Sequence, residues 1–197
     1  MFDLTSLIET AGYLGLFAII FAESGILIGF FLPGDSLLFT AGFLASQGFL
    51  NIWILVPILF AAAILGDAVG YTFGKKVGPK IFSRQESFFF HPSHVEKTAA
   101  FFEKHGVKTI ILARFIPVVR TFAPIMAGVG GMKYRTFAKY NIIGGFLWAV
   151  GLSTLGYVFG NIIPNADRYI LPIIGVIVFT SFLPPACHYF KEKEENY

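Results

Sequence analysis

Apolar residues run through this chain in four long blocks, at roughly 12–48, 52–74, 110–131 and 140–190, with polar stretches between them. The second block, Ile52 to Gly74, has the length of one crossing helix, which needs about 20 apolar residues. The fourth is too long for one helix, and NIIPNADRYILP (161–172) divides it into helices at 140–162 and 169–190. The polar segment 75–108 reads as an extramembrane linker carrying a short amphipathic helix near 93–105.

The first and third blocks are not simple spans. Each holds a proline-containing turn near its middle, LPGDS (32–36) and IPVVRT (116–121), and each continues through an Ala-Gly pair, Ala41-Gly42 and Ala127-Gly128. Broken backbone at membrane depth is tolerated only where protein or a water-filled cavity covers it. Both blocks are therefore expected to be re-entrant hairpins, broken at Pro33 and Gly34 in the first and at Pro117 and Pro124 in the second. Two short tilted helices per block are the alternative. The two halves also repeat. GYTFG (70–74) returns as GYVFG (156–160), and the Ala-Gly pairs keep the same offset of 86. A hairpin adds no net crossing and the following helix adds one, so successive units have opposite orientation, the arrangement that sets a substrate site near the midplane. The expected fold is an all-α polytopic membrane protein forming a single membrane domain over 1–197. Unit 1 covers about 12–74, the linker 75–108, unit 2 about 110–162, and a further C-terminal transmembrane helix 169–190.

Composition excludes a soluble domain. Of 197 residues 55% are hydrophobic and 14% charged, against about 25% charged in soluble proteins, and the mean hydropathy is +0.70. No Lys or Arg precedes Lys75, and seven then fall between Lys75 and Lys108. Basic loops face the cytoplasm, which places 75–108, 133–139 and the tail KEKEENY inside and the N-terminus outside. MFDLTSLIET lacks the basic start of a secretory signal, so nothing is read as cleaved, and the single Cys187 excludes an intrachain disulfide. A bacterial cytoplasmic (inner) membrane is the expected home.

Five ionisable residues interrupt the apolar blocks: Glu23, Asp35, Asp67, Arg114 and Arg120. Each costs at least ~2.5–3.5 kcal/mol at the bilayer centre, so several together point to function. Arginine stays charged, and its planar fork fits phosphate and carboxylate. With Pro117 breaking the helix and Val118-Val119 extended, Arg114 and Arg120 can converge on one anion, a lipid phosphate headgroup first among them. Helix N-termini at the break would add partial positive charge. Glu23 and Asp35 are expected either to pair with these arginines or to couple proton movement to anion movement; burial and a nearby guanidinium act oppositely on a carboxyl, so sequence leaves that choice open. Asp67 either bonds locally or takes a direct part. His91 and His94, with no cysteine near, are not expected to bind metal, and His105 and His188 are read as interfacial. Phe88–Phe90 and Phe101-Phe102 are read as membrane anchoring. No cofactor, nucleic acid or catalytic activity is expected, because no histidine sits in a membrane motif and no DDxxD pair exists. Homo-oligomerisation stays open.

The runs FFLPGDSLLFTAGFLA after Glu23, LGDAVGYTFGKKVG and ARFIPVVRTFAPIMAGVGGM resemble the DedA membrane-protein family, whose domain is shared with eukaryotic lipid scramblases. The resemblance covers about 12–162. It implies a carrier of anionic phospholipid or of a polyprenyl phosphate such as undecaprenyl phosphate, with protons as coupling ions in some bacterial members. The family's acidic pair, twelve apart, falls on Glu23 and Asp35, and its arginine pair, six apart, on Arg114 and Arg120. The leading expectation is thus a flippase- or scramblase-like transporter of a lipid phosphate. The alternative is a proton-coupled carrier of a small anion or ion.

Overall fold

The computed structural model describes residues 4–26, 34–81 and 108–162. Among them the chain is wholly helical, in the order α1 (Leu4–Gly25), α2 (Gly34–Ser46), α3 (Ile52–Ile81), α4 (Thr109–Ala113), α5 (Pro117–Val129), α6 (Tyr134–Gly145), a π-helical stretch at Phe146–Val150, and α7 (Gly151–Ile162). Pro33, the four histidines, the 93–105 helix, the phenylalanine anchors and the 169–190 helix lie outside the described residues.

Two helices are long and apolar enough to cross a membrane, Ile52–Val77 and the continuous Tyr134–Ile162, and only 33% of each is buried. At 1.5 Å per residue both exceed the ~30 Å hydrocarbon core. Their outward faces carry Trp53, Leu65, Phe73, Leu147, Leu155 and Phe159, exposed as lipid-facing side chains are. Two boundaries differ from the sequence expectation. α3 continues past Gly74 to Ile81, because hydropathy falls at Lys75 while helix-compatible backbone does not. The second of these crossings begins at Tyr134 rather than 140, where the Lys133 carbonyl accepts from the amides of Thr136 and Phe137, each at 3.0 Å.

Local chemistry explains the breaks. Asn51 caps α3, its Oδ1 accepting from the Trp53 amide at 2.9 Å. Ile116 sits extended at φ −118°, ψ 108°, the conformation favoured before a proline, and Pro117 then opens α5 where no backbone donor is needed. The expected extension at Val118-Val119 is therefore displaced to Ile116, and both valines are helical. Pro124 does not break the chain: α5 runs through it, forgoing the one backbone bond to the Arg120 carbonyl.

α2 and α5 are built alike. Both have 13 residues. Each is closed by a left-handed glycine, Gly48 (φ 83°) and Gly131 (φ 71°). Beyond each glycine the next amide returns to the carbonyl five residues back, Phe49 to Leu44 at 3.1 Å and Met132 to Ala127 at 3.0 Å, which is a Schellman cap. Each then packs on the crossing helix of the other half, α2 on α7 and α5 on α3. The approach is backbone to backbone: Gly42 lies against the Ser153 carbonyl and Gly128 against that of Tyr71, leaving no room for a Cβ. Small residues permit such contact where lipid offers no hydrophobic drive to association. α3 is the hub, touching α1, α2, α5, α6, α7 and the π-helical stretch. The larger core joins Ile20, Leu38, Leu55, Leu59 and Trp148, and a smaller one joins Tyr71, Ile110, Ala127 and Phe137.

Candidate functional site

Against this packing, the five charged residues meet inside the bundle. Glu23 comes from the end of α1, Asp35 from the first turn of α2, Asp67 from α3, Arg114 from the turn after α4, and Arg120 from the first turn of α5. Two residues the sequence reading missed complete the set, Asn141 of α6 and Trp148 of the π-helical stretch. Seven segments thus supply one side chain each, so any relative movement of the helices alters the site.

The residues form two clusters. Arg114 donates through Nη2 to Asp67 Oδ2 and to Asn141 Oδ1, and Asn141 is held in turn by donating to the Ile64 carbonyl at 3.2 Å. Arg120 donates through Nη2 to Glu23 Oε1 and through Nη1 to Asp35 Oδ1, the latter at 2.6 Å. Asp67 is therefore not a local cap: it reaches across to Arg114. The two guanidiniums both lie over one indole, that of Trp148. The Arg120 guanidinium carbon lies 4.5 Å from the Trp148 ring centroid and that of Arg114 5.9 Å, both within cation–π reach and each worth about 0.5–2 kcal/mol. Trp148 Nε1 also donates to Asp35 Oδ1 at 2.6 Å.

Glycines shape both clusters. A Cβ on Gly34 would overlap the Glu23 carboxylate, so the glycine of the LPGDS turn is what lets the carboxylate reach the N-terminus of α2, where negative charge is favoured. A Cβ on Gly144 would lie 2.9 Å from Arg114 Cδ; that glycine makes the trough in which the side chain of Arg114 runs.

Burial separates the members. The side chains of Glu23, Asp67, Arg114 and Arg120 are 3% exposed or less, whereas that of Asp35 is 46% exposed. Each carboxylate meets its arginine through a single oxygen, short of the two-point pairing the fork allows. Among the described residues Arg114 Nε and Nη1 and Arg120 Nε are buried without a hydrogen-bond partner. Three carboxylates against two guanidiniums leave one negative charge in excess when all are ionised. The described residues contain no group of three metal-ligating side chains.

Sequence held a signal for both missed residues. Asn141 is a lone amide in the apolar run NIIGGFLWAVG, and Trp148 lies in mid-span rather than at the interface, where tryptophan usually sits in membrane proteins.

The VTT domain family matches residues 32–158. The chain is 50% identical over 183 residues to the protein DedA of Escherichia coli, covering 92% of this chain and 83% of that one. It is 38% identical over 151 residues to the inner membrane protein YqjA (76% and 68% covered) and 34% identical over 157 residues to the inner membrane protein YghB (80% and 71%), both of Escherichia coli. No solved structure matches. With half its residues shared across nearly its whole length, and Asp35, Asp67, Arg114 and Arg120 within the matched domain, this chain belongs to the DedA family of VTT-domain membrane proteins.

Proposed function

We propose that the protein carries an anionic lipid phosphate, a polyprenyl phosphate or a glycerophospholipid, between the leaflets of a bacterial inner membrane. In this scheme the two arginines exchange carboxylate partners for phosphate oxygens. The observation that carries the reading is the unsaturated fork of Arg114, buried with Nε and Nη1 unpartnered. Leaving a buried charged donor unsatisfied is costly, and a phosphate offers three acceptor oxygens suited to that fork. Arg120 adds two more donors once Glu23 or Asp35 lets go. Coupling to protons would enter through Glu23 and Asp35, the carboxylates that release Arg120, of which Asp35 is the exposed member. The protein acts as a carrier, not an enzyme.

The alternating-access frame is an inverted repeat of two re-entrant hairpins, with the 75–108 linker and the C-terminus cytoplasmic. The matching Schellman caps of α2 and α5 and their reciprocal packing on α7 and α3 support it.

The test follows leaflet-to-leaflet movement of labelled polyprenyl phosphate, glycerophospholipid and the uncharged prenyl alcohol in proteoliposomes. Movement of phosphate lipids but not the alcohol, lost in Arg114→Ala and Arg120→Ala, is expected. No lipid movement by folded wild type would overturn the proposal and direct attention to a small soluble anion.

A further inference from the structure

We infer that Trp148 is itself an anion-binding residue of this site, handing its indole N–H from Asp35 to a phosphate oxygen when the ligand enters. The inference rests on the phosphate reading above and names a residue and a step that reading does not contain. Three observations carry it. The Trp148 N–H and the Arg120 Nη1 both donate to one oxygen, Asp35 Oδ1, each at 2.6 Å. An indole can only donate, so that oxygen acts as acceptor to both, and any departure of Asp35 vacates both donors together. Asp35 is also the one carboxylate of the three with a solvent-exposed side chain, at 46%. Lastly, the ring is buried beneath both guanidiniums. An oxygen arriving at Arg120 thus meets the indole N–H in the same place.

The backbone supports a functional part as well: Trp148 sits in the π-helical stretch Phe146–Val150, directly after the Gly144-Gly145 pair that accommodates Arg114. π-helical turns inside α-helices occur mostly at functional sites. Because the N–H is donated both before and after the exchange, its removal acts on the conditions of exchange more than on final affinity. Trp148→Phe, which keeps the ring and deletes the donor, lowers the rate of phosphate-lipid movement more than it weakens binding.

The chain has two tryptophans, and the other, Trp53, is 85% exposed. Trp53→Phe therefore leaves Trp148 as the sole indole reporter in its native setting. The purified variant is titrated with a short-chain prenyl phosphate, the matching alcohol and inorganic phosphate, while binding is measured separately with radiolabelled ligand. A saturable shift of the emission maximum that follows phosphate-lipid binding and is absent with the alcohol supports the inference. An equal shift with inorganic phosphate also supports the indole contact and moves the ligand's source to soluble anion. Phosphate-lipid binding with unchanged emission overturns the role of Trp148 and leaves the phosphate reading standing. No binding of any phosphate overturns both.

Discussion

Arg114 and Arg120 stand six residues apart in one apolar run, and the fold gives them opposite surroundings. Arg114 is locked between Asp67 and Asn141, all three buried, and still has two donors without partners. Arg120 is held by Glu23 and Asp35, and the second of these reaches solvent. The first cluster is sealed, with Asp67 Oδ1 as well as two Arg114 donors unpartnered; the second has one releasable partner. A carrier needs both properties, a fixed charge that draws the anion in and an exchangeable pair that lets it leave. Trp148 touches both sides, so the clusters are two parts of one site.

Removing one partner of the sealed cluster should have the largest effect. Asp67→Ala leaves Arg114 buried with only an amide for company and should destabilise the fold by about 3–5 kcal/mol, read as lost thermal stability in detergent. Asp35→Ala leaves Arg120 still paired with Glu23 and vacates two buried donors, so it should cost less, about 1–3 kcal/mol, while abolishing transport. Equal stability losses for the two would erase the distinction.

Crowding the arginine trough comes next. Gly144→Ala should cost about 1–3 kcal/mol through overpacking against Arg114, whereas Gly151→Ala, where nothing lies within 4 Å of the added carbon, should be silent. Unfolding of both variants side by side checks this.

Replacing the fork without changing the charge refines the picture further. Arg120→Lys should lower transport at least about tenfold, the equivalent of ~1.4 kcal/mol, with stability largely retained. Wild-type rates from Arg120→Lys would mean that charge alone suffices. The smallest effect is expected far from the site. Gln47→Ala removes the Gln47 Nε2 bond to the Gly160 carbonyl, 3.0 Å long, that ties α2 to α7, and should cost about 0.5–1.5 kcal/mol without altering transport selectivity.

Glu23, Asp35, Arg114 and Arg120 were legible in the sequence because a charge in an apolar run is expensive wherever it ends up. Pairing was one of the alternatives, but which carboxylate meets which arginine was not legible, since the pairs link residues 47 to 97 positions apart through helix packing. Asp67 stood open between a local bond and a direct part, and its partner Arg114 lies 47 positions away. Ile116, not Val118-Val119, takes the extended conformation because the constraint of a proline falls on the residue before it. Pro124 was read as a break, and α5 absorbs it. Asn141 as a lone amide in an apolar run and Trp148 as a mid-span indole stood out locally, but only the fold brings them to the charges.

The most direct test of partner exchange is a proton count. With all its acids ionised the site already carries one excess negative charge, and a phosphate monoester brings about −1.5 to −2 more. Binding of a prenyl phosphate, measured calorimetrically in buffers of different ionisation enthalpy, should therefore take up on the order of one proton per ligand, and Asp35→Asn should reduce that uptake. Tight phosphate binding with no proton uptake, unchanged in Asp35→Asn, would show that the carboxylates keep their arginines and that exchange is not how this site works.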